Sequence, residues 1–276
     1  MAAADTAPDP TPAATALAGG WTFYELDTVG STNQFAAALA PWSAVTARTQ
    51  TAGRGRHDRR WVSDAGGLWL SAVVPAPGNS HDWSLLPLAA GLAVCQALAS
   101  FGLAGQRLRW PNDIMIGPAK LAGILVERFR PTSAVVGIGI NYDNHPELAD
   151  TALAGAVARV AELLPAPPTR AALRDAVLTA LRQAHGLLAT DRAAALVELL
   201  SPYWRRTGVR VTLRPNGVSC DGRFAGVDPA GRLLLEGAPA TTRSFAPHEV
   251  ELLRELFPTD IDPTDPDLTC TNHSRS

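Results

Sequence analysis

The 276-residue chain predicts an α+β protein, one large mixed domain followed by one small β module. Three observations carry that prediction. Between Trp21 and Tyr203, short apolar runs ending in Gly, Pro or Asn alternate with helical stretches. Over 169–189, Leu173, Ala176, Val177, Ala180, Leu181, Ala184 and Leu188 fall three or four residues apart, which is a helix period. After Trp204 that period stops, and only short strand-like runs with turn residues remain.

In order, "FYELDTVGSTNQFAAALA" predicts a strand, a turn at Gly30 and a short helix opening near Ser31, a good N-cap type. "AVTARTQ" is a strand, and "TAGRGRHDRRW" is the loop after it. "GLWLSAVVP" is a strand stopped by Pro75, and "WSLLPLAAGLAVCQALASFG" is a mostly apolar helix ended by Gly102. "RLRWPNDIMIGPAKLAGILVERF" reads as paired strands turning at Gly117-Pro118, and "AVVGIGINY" as another apolar strand. Helices over 169–189 and 191–200 follow. "GVRVTLRP", "VSCDGRFAGVDPAGRLLLEG" and "TRSFAPHEVELL" form a small barrel or sandwich. Residues 1–20 are Ala/Pro/Thr-rich and 258–276 are polar and Pro-broken, so both are expected to be disordered tails. The main domain is then 21–203 and the C-terminal module 204–257.

Hydrophobic residues make up 46% of the chain and charged ones 18%, enough apolar material for a real core. The net charge of -2 supplies no global basic field for nucleic acid. Cys95, Cys220 and Cys270 are odd in number and far apart, with no disulfide framework and no CxxC pair, which suits a reducing cytosol. The N-terminus lacks the basic start and apolar core of a signal peptide. Leu85 to Ala99, the most apolar stretch, is too short to span a bilayer. The expectation is a soluble cytoplasmic protein with no membrane partner. HExxH, GxSxG and recognisable Cys–His spacings are missing, so metalloprotease and serine-hydrolase readings fall away.

Lys120 is the only lysine; the other basic residues among the 24 Lys and Arg are all Arg. A surface cation tolerates Arg, and this chain uses Arg everywhere else. A site that needs a compact ammonium with three rotatable donors does not tolerate a planar guanidinium. Lys120 therefore suits either a Schiff-base nucleophile or a clamp on developing phosphoryl charge. In "TAGRGRHDRRW", Gly53 and Gly55 permit close backbone approach, and Arg54, Arg56, Arg59 and Arg60 carry forks suited to phosphate or carboxylate. The same loop also reads as a solvated basic loop or a nucleic-acid patch. It is neither a P-loop nor a dinucleotide fingerprint. In "RWPNDIMI", Asp113 is placed to hold Mg²⁺ or a ribose hydroxyl and Asn112 to read a base edge; a plain turn fits the same residues. Gly137 and Gly139 inside "VVGIGINY" imply close backbone approach or tight strand packing, with Asn141 at the strand end.

Five segments in this order, "STNQ", "QTAGRGRHDRRW", "RWPNDIM", "KLAGILVE" and "GIGINY", resemble the biotin–protein ligase family over roughly residues 21–255. The resemblance implies a catalytic domain like that of class II aminoacyl-tRNA synthetases, with a C-terminal SH3-like barrel. It implies ATP-dependent formation of biotinyl-5'-AMP, followed by transfer of biotin to a lysine of a biotin carboxyl carrier protein domain. Biotin, ATP and Mg²⁺ are the implied small molecules. By the same carry-over, Lys120 is the active-site lysine near the biotin carboxylate and α-phosphate, and Arg54 and Arg56 are loop arginines that order over the adenylate. Ser31, Thr32 and Gln50 match residues around the biotin ureido ring. Trp69 matches an aromatic of the pocket, and Gly53, Gly123, Gly137 and Gly139 bring backbone to biotin. Asn112 and Asn141 match positions near the nucleotide, and Asp113 a position near metal or ribose.

The chain departs from the family's loop at His57 and Asp58, which fill Arg-Gly positions. Asp58 adds an anion beside phosphate, so weaker adenylate retention is expected. Some relatives carry an N-terminal winged helix and bind DNA; the twenty residues before Trp21 are too few for one, so no DNA partner is expected. A lipoate ligase or octanoyltransferase is the nearest rival. The thioester route wants a cysteine nucleophile, and Cys95 lies mid-helix among core-like neighbours. The sequence leaves the oligomeric state open.

Overall fold

A computed structural model of the chain describes residues 12–77, 80–149, 156–190, 192–204, 210–215, 220–237 and 241–256. Its centre is an eight-stranded mixed sheet: β1 (Thr15–Leu17), β2 (Trp21–Val29), β3 (Ser43–Gln50), β4 (Leu68–Pro75), β5 (Gln106–Arg109), β6 (Asp113–Ile116), β7 (Ala119–Arg130) and β8 (Ser133–Ile140). The strand order is β1-β2-β3-β4-β8-β7-β6-β5. Only β2 and β3 pair in parallel, joined through α1 (Thr32–Ala36), as a parallel connection requires a crossover.

The two faces of this sheet have separate tasks, and alternation along the strands assigns them. On β8, Val136, Ile138 and Ile140 join the main core, whereas Val135 packs with Ala36, Val45 and Val73 under α1. The main core lies against α2 (Leu86–Ser100), α4 (Arg170–Ala189) and α5 (Ala193–Leu200); the short α3 (Val160–Leu163) contributes Val160. Each buried Leu or Val there is worth roughly 1.5–3 kcal/mol. With the turn before it, α2 gives an apolar stretch Trp83–Ser100, longer than the sequence implied and long enough by length alone to cross a bilayer. Its residues are instead buried in the core: Leu86, Leu88, Leu92 and Leu98 are at most 1% exposed.

The C-terminal module is a five-stranded antiparallel sheet of β9 (Arg210–Pro215), β10 (Cys220–Val227), β11 (Leu233–Gly237), β12 (Thr241–Phe245) and β13 (Val250–Leu256), in the order β12-β11-β10-β9-β13. It docks through the turn between β10 and β11. Trp110 Nε1 donates to Gly231 O at 3.0 Å, and Gly231, at φ +79°, sits so close to Leu85 that a Cβ there would clash.

The expectation of disorder through residue 20 is corrected at one point. Thr15–Leu17 form β1 and pair antiparallel with Trp21–Phe23 of β2, with Gly19 and Gly20 at positive φ between them. Three residues are too few to show a strand period. Residues 1–11 and 258–276 of the expected tails lie outside the described residues, as does Phe257.

Candidate active site

The sheet face opposite the core helices carries a cleft of about 440 Å³, in the range of small-molecule sites. Its floor is made by glycines. Gly123 of β7 lies directly opposite Gly139 of β8, and Gly137 is opposite Leu125. Side chains cannot replace these hydrogens, because the roof comes down on them. A Cβ at Gly137 would stand 2.3 Å from Asn33 Oδ1, one at Gly139 2.6 Å from Trp61 Nε1, and one at Gly123 2.9 Å from Trp61 Cζ3.

One end of the cleft is neutral and polar. Gln50 Oε1 accepts from both the backbone N–H and the hydroxyl of Thr32, at 2.8 and 2.9 Å. Gln50 Nε2 donates to Ser63 Oγ at 2.9 Å. The buried Ser71 hydroxyl lies 2.8 Å from Thr32 Oγ1 and 2.6 Å from Asn33 Oδ1. Asn33 Nδ2 then donates to Glu127 at 2.7 Å, and Arg54 Nη2 donates to the other Glu127 oxygen at 2.9 Å. Ser31 stands at the N-cap of α1, yet its side chain makes no cap bond and lines the cleft instead.

The other end is cationic. Lys120 is pinned through its backbone: its N–H donates to Ala156 O at 2.8 Å, and its carbonyl accepts from Ala158 N–H and from Asn141 Nδ2. Its ammonium is 2.6 Å from Asp113 Oδ1 and 4.9 Å from the Trp61 ring centre. Asp113 Oδ2 accepts from Arg109 Nη2 at 2.6 Å. Burial works to raise the Asp113 pKa, but Lys120 and Arg109 outweigh it and hold the carboxyl below its usual range. Asn112 hydrogen-bonds to the Ile124 backbone and accepts from Arg56 Nη1 at 3.4 Å. Arg56 Nη2 donates to the carbonyls of Pro247 and Val250 at 2.5 and 3.1 Å, and burial lowers its pKa. Val250 and Leu253 of the C-terminal module thus wall the cleft.

Ser31, Thr32, Gln50, Arg54, Arg56, Trp69, Asn112, Asp113, Lys120, Gly123, Gly137, Gly139 and Asn141 all line this cleft. Gly53 does not; it packs behind the loop, where a Cβ would meet Trp61 O at 2.4 Å. Trp69 is almost wholly buried and spends its indole N–H on Asp64 O. The two loop arginines part company, Arg54 toward Glu127 and Arg56 toward the C-terminal module. Asn33, Trp61 and Glu127 lie inside the segments "STNQ", "QTAGRGRHDRRW" and "KLAGILVE", but no sequence pattern gives any of them a role, and Ser71 and Val250 lie in no such segment. Asn33 looked like part of a helix cap, Trp61 like the end of a loop, and Val250 is remote in the chain. Asp113 does not fit a metal ion: both its oxygens already face cations, and no cluster of three His, Cys, Asp or Glu exists among the described residues. Cys95 is no nucleophile; it is fully buried in α2, and burial pushes its thiol up to about 12.

A neutral polar end, a flat backbone floor and a cationic end suit an elongated ligand with an uncharged hydrogen-bonding head and an acidic tail that meets a second anion. Comparison with known proteins agrees. The family described as Biotin/lipoate A/B protein ligase matches over residues 28–143. A biotin–[acetyl-CoA-carboxylase] ligase of Mycobacterium tuberculosis is 35% identical over 240 residues, 79% of this chain and 84% of that protein. The bifunctional ligase/repressor BirA of Bacillus subtilis is 30% identical over 220 residues, 76% of this chain and 68% of that one. Among solved structures, the biotin protein ligase of Aquifex aeolicus in complex with biotin and ATP superposes with a TM-score of 0.74 at 25% identity, over 84% of this chain and 98% of that one.

Proposed function

The chain belongs to the biotin/lipoate A/B protein ligase family, and on that premise we propose that it is a biotin–[biotin carboxyl carrier protein] ligase. It joins biotin to ATP as biotinyl-5'-AMP and then passes biotin to a lysine of a carrier domain of a biotin-dependent carboxylase. The observation that carries this is the cleft itself, in which the chain's one lysine and its Arg-rich loop face a glycine floor beside a neutral polar end.

In this reading the ureido ring of biotin lies at the Thr32–Gln50 end and its carboxylate points toward Lys120. A carboxylate oxygen attacks the α-phosphorus of ATP, and pyrophosphate leaves. The ammonium of Lys120 offsets the charge that gathers on the α-phosphoryl oxygens, and Arg56 lies where it can hold the phosphates. The acceptor ε-amine then attacks the biotinyl carbonyl, losing its proton, and AMP leaves. Asn112 and Asn141 stand on the nucleotide side. Mg²⁺ enters as the counter-ion of the ATP phosphates, because the cations around Asp113 leave no carboxylate free for it. We read residues 21–203 as the catalytic domain and 204–257 as an SH3-like barrel. The net charge of -2 speaks for neither a nucleic-acid nor a membrane partner, and three scattered cysteines without a CxxC pair suit the cytoplasm.

Exchange of labelled pyrophosphate into ATP tests the first half-reaction, with biotin, lipoate and octanoate as parallel substrates. Exchange is expected with biotin alone. Exchange driven by lipoate or octanoate, or none with any of the three, overturns the reading.

A further inference from the structure

We propose that Glu127 is a positioning residue of this reaction, which straps the arginine loop to the cleft floor through Arg54; the proposal rests on the ligase reading above. On β7, Gly123, Leu125 and Glu127 share one face, and the first two line the cleft. Glu127 therefore stands at the neutral end of the floor. One of its oxygens accepts from Arg54 Nη2 at 2.9 Å and the other from Asn33 Nδ2 at 2.7 Å. The Arg54 and Glu127 side chains are only 35% and 21% exposed, so the pair is partly shielded from water and salt. Asn33 continues the chain of bonds through Ser71 to Thr32 and Gln50. Glu127 thus ties the loop, α1 and the floor strand together.

Arg56 is fastened on the opposite wall, by Asn112 Oδ1 and the carbonyls of Pro247 and Val250. Gly55 alone separates the two arginines, so the loop crosses the cleft with a fastening on each side. Within it, Gly55 N–H donates to Arg59 O at 2.7 Å and Trp61 N–H to Gly53 O at 2.9 Å, so the segment is internally braced. Its last residue, Trp61, lays its indole on the Gly123–Gly139 floor. Trp61 lines the cleft beside that floor, so the loop sets where one wall of the ligand pocket stands. The Glu127 fastening sits at the biotin end and the Arg56 fastening at the nucleotide end. Loss of the first is therefore a biotin effect.

The test compares wild type with Glu127→Gln and Glu127→Asp. In ligand-free protein, trypsin is expected to cut after Arg54, Arg56, Arg59 or Arg60 about fivefold faster in Glu127→Gln, the factor that about 1 kcal/mol of lost restraint gives. In pyrophosphate exchange the same variant raises KM for biotin by about the same factor while KM for ATP and kcat hold. Glu127→Asp, which keeps the charge, recovers part of both effects. Equal cleavage rates with equal KM for biotin overturn the proposal. So do equal changes in both KM values and kcat with a lowered thermal midpoint, which mark a merely structural role. If no variant and no wild type exchanges with biotin, the ligase reading falls, and the ligand-free cleavage rates alone decide on Glu127.

Discussion

Lys120 sits between a carboxylate and an indole face, 2.6 Å from Asp113 Oδ1 and 4.9 Å from the Trp61 ring centre. That niche suits a compact, rotatable ammonium. A guanidinium is planar and wider, and it would have to push Trp61 off Gly123 or break from Asp113. Lys120→Arg is expected to keep its thermal midpoint and lose adenylation by about 100-fold or more, as when a preorganised donor to a transition state is removed. Pyrophosphate exchange reads this directly, and near-normal exchange would refute the clamp. Lys120 was legible in the sequence because it stands alone among arginines. Its neighbours were not. Trp61 and Glu127 have ordinary roles at ordinary positions in a linear pattern; only the fold lays the Trp61 indole over Gly123 and Gly139 and sets Glu127 further along the same floor strand.

At the scale of elements, β8 shows why the strands were readable and their function less so. The run "AVVGIGI" announced an apolar strand with glycines, and the structure has β8 there. Which face the glycines cleared depended on register, which only the pairing partners set. Helix α4 was legible through its period, and it carries a second device. Its His185 is nearly buried, lies 2.9 Å from Pro75 O at the end of β4, and meets the Trp42 ring edge-on at 5.1 Å. Burial lowers the His185 pKa, and the Arg182 charge adds to that. Below the ordinary histidine value of about 6.5, the unfolded chain binds a proton that the folded chain refuses, so stability falls as pH falls through that region. The thermal midpoint is expected to drop between about pH 7.5 and 5.5, and to drop less in His185→Gln. Equal slopes in the two proteins would remove His185 from the account.

The whole molecule presents one ε-amine, and that one is engaged by Asp113. Any biotinyl-5'-AMP that escapes the cleft meets no other lysine on this chain. Incubation with biotin and MgATP followed by mass spectrometry is expected to find little label, confined to Lys120 or the α-amine; several labelled internal sites would contradict it. At this scale the sequence was least informative. The small module was legible as short strands and turns, but its wall of Val250 and Leu253 was not. Those contacts join segments 191 and 194 residues apart, and no local pattern records them.

The bond from Arg56 to Pro247 spans 191 residues. Synthesis runs in one direction, so the floor, the lysine and the loop all exist well before the carbonyls that hold Arg56 do. A growing chain can pair its eight-stranded sheet and still lack the second wall of the cleft. The last of the described strands is the one that completes the catalyst.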